Sequence, residues 1–411
     1  MKIFVQIASY RDPELEPTIQ SCLENAKYPE NIVFAICRQY HPEDEFGKLE
    51  NYREDIRFRI VNVLYNESKG ACWARNIVQQ LYNQEEFTLQ IDSHMRFEKD
   101  WDETLINMVL DLQKKGHNKP LITTYAPSYN PSTDPIGREN KPWFMKFDKF
   151  TPEGVVFFLP SPIDDKEKLT DPVPASFYSA HFCFTLGKFT EEVKHNPDFY
   201  FHGEEISITV RAFTHGYDLF HPNKVIIWHE YTRSNRTKQW DDDTEWWVLN
   251  EKALLLNRQL FGMDGHQQEG HDGEYGFGNV RTLSDYELYA GINFKHRRAH
   301  PKTLKGDIPP INDNTNWYVT PTTKFEYSII IPKIEIIQDD YDFWAISFLD
   351  DLGSEIFRED AVEKEIKEIY DLKSDYIVIK RSFLTNQNIK SWSIWTHHKE
   401  NGWIKQVTGE V

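Results

Sequence analysis

Short apolar runs at residues 3–7, 32–37, 58–63 and 87–91 leave this chain few ways to fold. Residues 3–7 read as a strand buried on both sides, and the other three, too short for an ordinary helix and largely apolar, read as further strands. Helical segments lie between them. After the first run, Asp12 is expected as an N-cap with Pro13 at the first helical position, and Leu15, Ile19, Cys22, Leu23 and Ala26 then share one face. After the third, the small-residue turn Ser68-Lys-Gly-Ala-Cys-Trp-Ala-Arg-Asn76 opens a helix expected to reach about Tyr82. Strands alternating with helices predict an open α/β sheet.

The fourth run ends abruptly in Ile91-Asp-Ser-His-Met-Arg-Phe97. Residues i and i+2 of a strand point to one face, so Asp92 and His94 would project together from a strand's carboxyl end, where open α/β sheets place their ligands. A hard carboxylate beside an imidazole suits Mn²⁺ or another first-row divalent ion. The pair alone is equally satisfied by an Asp in a turn and a His bonded to backbone. Upstream, the helix opening near Ser68 offers free N–H groups and a positive dipole end that suit an anion, with Lys69 and Arg75 adding charge.

Farther on, Asp100 is expected to cap a helix with Glu103 reaching back, and 120–125 is expected as strand. Residues 126–174 read as an excursion over the sheet, and 175–186 as a strand crossing beneath whatever sits on Asp92. In Phe199-Tyr-Phe-His-Gly-Glu-Glu205 a glycine turn delivers two acids into a first helical turn, where acids also serve simply to complement the dipole. Residues 217–220 and 224–228 read as a short strand pair ending at His229, a second strand-terminal histidine. A helix is expected over 235–260, and 271–313 as a wrapping tail. Beyond 324 the pattern turns β-rich, with one helix at 360–370. The expected organisation is a catalytic domain over 1–265, a wrapping tail and linker over 266–323 and a small accessory domain over 324–411, in which Trp344, Trp392, Trp395 and Trp403 look exposed.

At 411 residues and 39% hydrophobic content the chain can bury one large core and a small second one. A net charge of −18 argues against gripping nucleic acid through phosphates. No run reaches membrane-spanning length, no signal peptide is evident, and Cys22, Cys37, Cys72 and Cys183 are scattered among apolar residues, so a cytosolic protein with reduced thiols is expected.

Taken in order, Ser9-Tyr-Arg-Asp12, Lys69-Gly-Ala-Cys-Trp-Ala-Arg-Asn76, Gln90-Ile-Asp-Ser-His-Met-Arg-Phe97, His202-Gly-Glu-Glu205, His229-Glu-Tyr231 and Tyr275-Gly-Phe-Gly-Asn-Val-Arg-Thr282 resemble the GlcNAc-transferase family typified by the Skp1 hydroxyproline GlcNAc-transferases, over roughly residues 1–295. The Asp-Ser-His triplet is also similar to that of the polypeptide GalNAc-transferases. The resemblance implies a GT-A fold (Rossmann-like), a UDP-sugar donor, Mn²⁺ or a similar divalent cation, and retention at the anomeric carbon. It implies Asp92, His94 and His229 as metal ligands. It places Ser9, Tyr10, Arg11, Asp12, Lys69, Arg75 and Ser93 against the nucleotide, and Glu204 or Glu205 against the donor sugar, without deciding between those two. The acceptor, a protein side chain or a glycan, is left open, as is a homodimer.

Two other readings remain at this point. A glycosidase would cast Glu204 and Asp92 as its paired carboxylates and need neither metal nor nucleotide. A noncatalytic carbohydrate-binding or scaffold protein would keep the fold alone.

Overall fold

The apolar runs become β1 (Ile3–Tyr10), β2 (Ile32–Tyr40), β3 (Phe58–Leu64) and β4 (Phe87–Ile91), joined in part by α1 (Leu15–Asn25) and α2 (Ala71–Gln79). They are seen in a computed structural model that describes the whole chain except residues 164–168, 234–235, 267–272, 314, 316, 319–322 and 386. The chain forms two compact units, Met1–Tyr318 and Val319–Val411.

In the first unit, β5 (Met95–Phe97), α3 (Trp101–Lys114), β6 (Pro120–Thr123), β7 (Trp143–Phe150), β8 (Val156–Pro162), β9 (Val173–Pro174) and β10 (Phe182–Leu186) follow β4. Then come α4 (Phe189–Glu192), α5 (Glu204–Thr214), β11 (Asp218–His221), β12 (Ile227–His229), α6 (Gln239–Asp242), α7 (Trp246–Leu260) and α8 (Leu283–Ala290). The small pair β13 (Ile292–Asn293) and β14 (Arg298–Ala299) and α9 (Pro301–Lys305) complete the unit.

Eight strands make one sheet in the order β3-β2-β1-β4-β10-β6-β11-β9. The first four are parallel, with Ile7 opposite both Ile36 and Ile91, while β10 runs antiparallel to β4 with Phe182 opposite Ile91. β1, β2 and β4 bury side chains on both faces, while β3 leaves Asn62 exposed: Val5, Ile7 and Leu89 pack on α1 and α3, and Phe4, Ala35 and Val63 on α2. Trp101 is fully buried and donates its indole N–H to Cys22 O at 2.9 Å, locking α3 to α1.

Several local expectations are corrected. Asp12 is not the N-cap of α1, which starts at Leu15; it instead accepts the Glu14 N–H while facing the sheet end. The second helix stops at Gln79; Asp100 does stand at the N-cap position of α3, at φ 56, but its side chain makes no cap bond and Glu103 pairs with Lys27 instead of reaching back. Residues 126–174 contain a β7–β8 hairpin whose Met145, Phe147 and Phe158 pack with Phe177 and Ile206. Only the end of 175–186 is strand. The helix expected over 235–260 is two, α6 and α7, with residue 235 outside the described set. Residues 217–220 and 224–228 do not pair: β11 joins the main sheet beside β6, and β12 pairs with β5. Tertiary partners decide such short strands, because each buries its apolar face only against a distant element.

The second unit holds β15 (Thr323–Pro332), β16 (Tyr341–Leu349), β17 (Glu355–Arg358), β18 (Ala361–Val362), α10 (Glu363–Asp371), β19 (Tyr376–Thr385), β20 (Ser391–His398) and β21 (Gly402–Glu410). The β15–β19 pair and the sheet of β17, β16, β20, β21 and β18 enclose Ile329, Trp344, Ile346, Ile377 and Ile394, with Ile366 of α10 closing the core. Trp344 and Trp392 are therefore buried, contrary to expectation, while Trp395 and Trp403 are 41% and 43% exposed.

Candidate functional site

At the carboxyl end of β4 the chain leaves the sheet through Asp92 and Ser93, and His94 leads into β5. Pairing of β5 with β12 sets His229 opposite Met95, and that register brings the second histidine to the first. His94 Nε2 and His229 Nε2 lie 3.0 Å apart, and Asp92 Oδ2 lies 3.6 Å and 3.4 Å from them. Ligands about 2.1 Å from an ion and at right angles to each other stand about 3 Å apart, so the three atoms fit one divalent cation.

The protonation states fit as well. Asp92 is held well below the usual carboxylate range: His229, Arg75 and His94 outweigh the burial that opposes its charge. Burial lowers His229 to about 4, leaving a neutral imidazole at ordinary pH. Metal binding needs an ionised carboxylate and neutral rings.

Beneath His94 sits Asp12. β1 ends at Tyr10, and Arg11, at φ 44, turns the chain so that Asp12 is buried under the site. Its Oδ2 lies 2.8 Å from His94 Nδ1 and accepts from Ser93 Oγ at 2.7 Å and Arg236 Nη1 at 3.1 Å. Burial opposes its charge, but His94, Arg236 and Ser93 prevail and bring Asp12 to about 2. Arg236 Nη1 also donates to His94 Nε2 at 2.7 Å.

Arg75, on α2, bridges two acids: Nη2 donates to Asp92 Oδ1 at 2.8 Å and Nη1 to Glu204 Oε1. Burial pushes Glu204 up, chiefly against the pull of Arg75. Glu205, next along α5, accepts from Tyr125 Oη at 2.8 Å and from the Ala180 N–H at 3.0 Å, and burial raises it to about 7.

Two cavities meet at Asp92, Arg75, Phe201 and Arg233. The smaller, about 140 Å³, runs along the end of β1 past Tyr10, Asp12, Gln39, Ser93 and Trp240. The larger, about 330 Å³, is walled by Tyr125, Phe158, His181, Glu204, Glu205 and His229.

Of the residues singled out from sequence, Tyr10, Asp12, Arg75, Asp92, Ser93, His94, His229, Glu204 and Glu205 thus come together. Ser9, Arg11 and Lys69 do not line either cavity. Ser9 is buried in the sheet and gives its carbonyl to Gln39. Arg11 pairs with Asp44 and Asp242 at 2.9 Å each, and Tyr10 Oη also donates to Asp242 at 2.8 Å, so both residues tie α6 across the end of β1. Lys69 is exposed, and the helix start behind it is partly used, because Tyr200 O accepts the Ala71 N–H at 3.2 Å. His181 was not foreseen; a lone histidine among aromatic residues carries no local signal.

A search of curated proteins finds no match. A crystal structure of GalNAc-T7 with UDP, GalNAc and Mn²⁺ is similar with a TM-score of 0.46 and 13% identity, over 64% of this chain and 48% of that one, so the chain spans about half of that relative. Staphylococcus aureus TarS 1–349 in complex with UDP-GlcNAc gives a TM-score of 0.38 and 12% identity over 63% of this chain and 67% of that one. The family model for GlcNAc glycosyltransferases matches residues 2–55 and 48–296. With that match spanning the whole eight-stranded sheet and the site at the carboxyl end of β4, the chain belongs to the GlcNAc glycosyltransferase family.

Proposed function

We propose that this glycosyltransferase moves a sugar, GlcNAc foremost, from a UDP-sugar to a hydroxyl acceptor on a protein or glycan, with retention, using Mn²⁺ or a similar divalent ion held by Asp92, His94 and His229. The observation that carries this reading is the convergence of one ionised carboxylate and two imidazoles on a single point between two cavities. When bound, such an ion offsets the negative charge that builds on a departing diphosphate. The four buried free cysteines favour a reducing, cytosolic setting.

The chain's own groups do the rest. The smaller cavity takes the nucleotide, with Tyr10 and Trp240 offering flat faces. Arg233 and Arg236 border it and bring positive charge toward the diphosphate. Arg75 holds Asp92 and Glu204 in place, and Glu205 faces the sugar in the larger cavity. Glu204 and Asp92 are engaged by Arg75, and Glu205 by Tyr125 and Ala180, so none is a free nucleophile. Retention then follows from attack on the face the diphosphate leaves, with the acceptor hydroxyl giving its proton to the departing phosphate. A glycosyl-enzyme adduct trapped by mass spectrometry would contradict this.

The glycosidase reading fares worse. The Arg75 guanidinium stands between Glu204 and Asp92, where the scissile bond would have to lie. The test is a panel of UDP-sugars with Mn²⁺, scored by UDP release. One preferred donor and loss of release in EDTA are expected; no release from any UDP-sugar would overturn the proposal.

A further inference from the structure

His181 precedes β10 and reaches the wall of the larger cavity beside Glu205 and His229. The rings of Tyr125 and His229 stack against it at 5.1 Å and 4.3 Å, and Tyr231 meets it edge-on at 5.8 Å, so the imidazole plane is fixed. Its Nε2 accepts the Ala126 N–H at 3.0 Å. The nearby Tyr231 O–H is committed to Ala126 O at 2.7 Å and only passes Nε2 at 3.4 Å.

Nε2 therefore carries the lone pair, and a neutral imidazole in that state bears its proton on Nδ1. No described group accepts from Nδ1, and His181 lines the larger cavity. Ala180, the preceding residue, gives its N–H to Glu205 Oε1 at 3.0 Å, and Tyr125 gives its O–H to Oε2 at 2.8 Å. One frame thus presents an N–H donor and a carboxylate acceptor side by side. Neighbouring substituents of a sugar ring, which both donate and accept, are matched by such a pair.

We propose that His181 is a specificity-determining residue for the donor sugar: its Nδ1–H donates to one ring substituent while Glu205 accepts from the next. This rests on the larger cavity holding the sugar of a nucleotide-sugar.

Two variants separate the ring's two edges. His181→Gln sets an oxygen near the Nε2 position, keeping the Ala126 bond and deleting the Nδ1 donor; His181→Asn restores an N–H near Nδ1. Calorimetry with UDP and Mn²⁺, and UDP release from the sugar panel, are read for both. For His181→Gln, UDP affinity within about 2-fold of wild type and a fall of about 10-fold or more in kcat/KM for the preferred donor are expected, with flattened discrimination and partial recovery in His181→Asn. Unchanged kcat/KM and donor preference in His181→Gln would overturn the inference while leaving the nucleotide-sugar reading intact. Equal loss of UDP affinity in both variants would also overturn it, assigning the ring to support of His229. A wild type that binds UDP but not as part of any UDP-sugar would overturn both.

Discussion

Asp12 Oδ2 stands 2.8 Å from His94 Nδ1, and both side chains are buried. The contact holds the proton on Nδ1 and leaves a lone pair on Nε2, which accepts from Arg236 and lies beside Asp92 and His229; a carboxylate orients a ligating histidine in the same way. Replacement of Asp12 by Asn or Ala is expected to weaken Mn²⁺ binding about 10–100-fold without removing a ligand. Free Mn²⁺ counted by electron paramagnetic resonance checks it; unaltered affinity would detach Asp12 from the metal.

The Arg75 guanidinium joins Asp92 to Glu204; Arg75 and Glu204 are buried, while the Asp92 side chain is 26% exposed. Removing one member of a buried ion network strands the others. Arg75→Met is expected to cost about 3–5 kcal/mol of unfolding free energy, measured by urea denaturation. A loss below about 1 kcal/mol would show that the acids are solvated when Arg75 is gone.

Glu205 titrates at about 7 in the folded chain, against an ordinary value of 4.5, because it is buried and Glu204 lies near, while the Ala180 N–H, Tyr125 and Arg75 pull the other way. The folded state thus holds this proton more tightly than the unfolded one. Its stabilising contribution is complete below pH 4.5 and is lost as pH rises through 7. Relative to Glu205→Gln, the wild type should lose stability by up to about 1.4 kcal/mol per pH unit across that window. A difference that stays flat with pH would place the folded value near the unfolded one.

Gly70 holds φ +113 at the start of α2, where an added Cβ would stand 2.7 Å from Tyr200 O. Gly116 holds φ +99 with nothing within 4 Å. Both changes to Ala strain the backbone, by about 1–3 kcal/mol. Only Gly70→Ala should also displace Tyr200 from the smaller cavity and weaken UDP binding, as calorimetry would show. Equal effects on UDP affinity would contradict the packing argument.

The sheet was legible because its strands are short, largely apolar runs, whereas Asp92 and His94 were paired on strand geometry and in fact lie in the turn between β4 and β5, which brings their side chains together. By local pattern His229 was only a histidine at a strand end, and the family resemblance alone set it with Asp92 and His94; what brings it to His94 is the β5–β12 pairing, a contact between segments about 130 residues apart that no local pattern encodes. Asp12 was misread for the same reason. Asp-Pro at a helix start satisfies every local rule for a cap, and only the return of β4 beside β1 shows that the carboxylate faces His94 instead. The resemblance put Arg11 against the nucleotide; its partners Asp44 and Asp242 are distant in sequence, and no local pattern names them.

Calorimetric titration of UDP into the protein with Mn²⁺, and again with EDTA, tests the metal and nucleotide site most directly, with Asp92→Ala and His94→Ala alongside. Binding to the wild type that requires Mn²⁺ and disappears in both variants is the predicted result. UDP binding that is indifferent to EDTA, or that survives loss of Asp92 and His94, would contradict it.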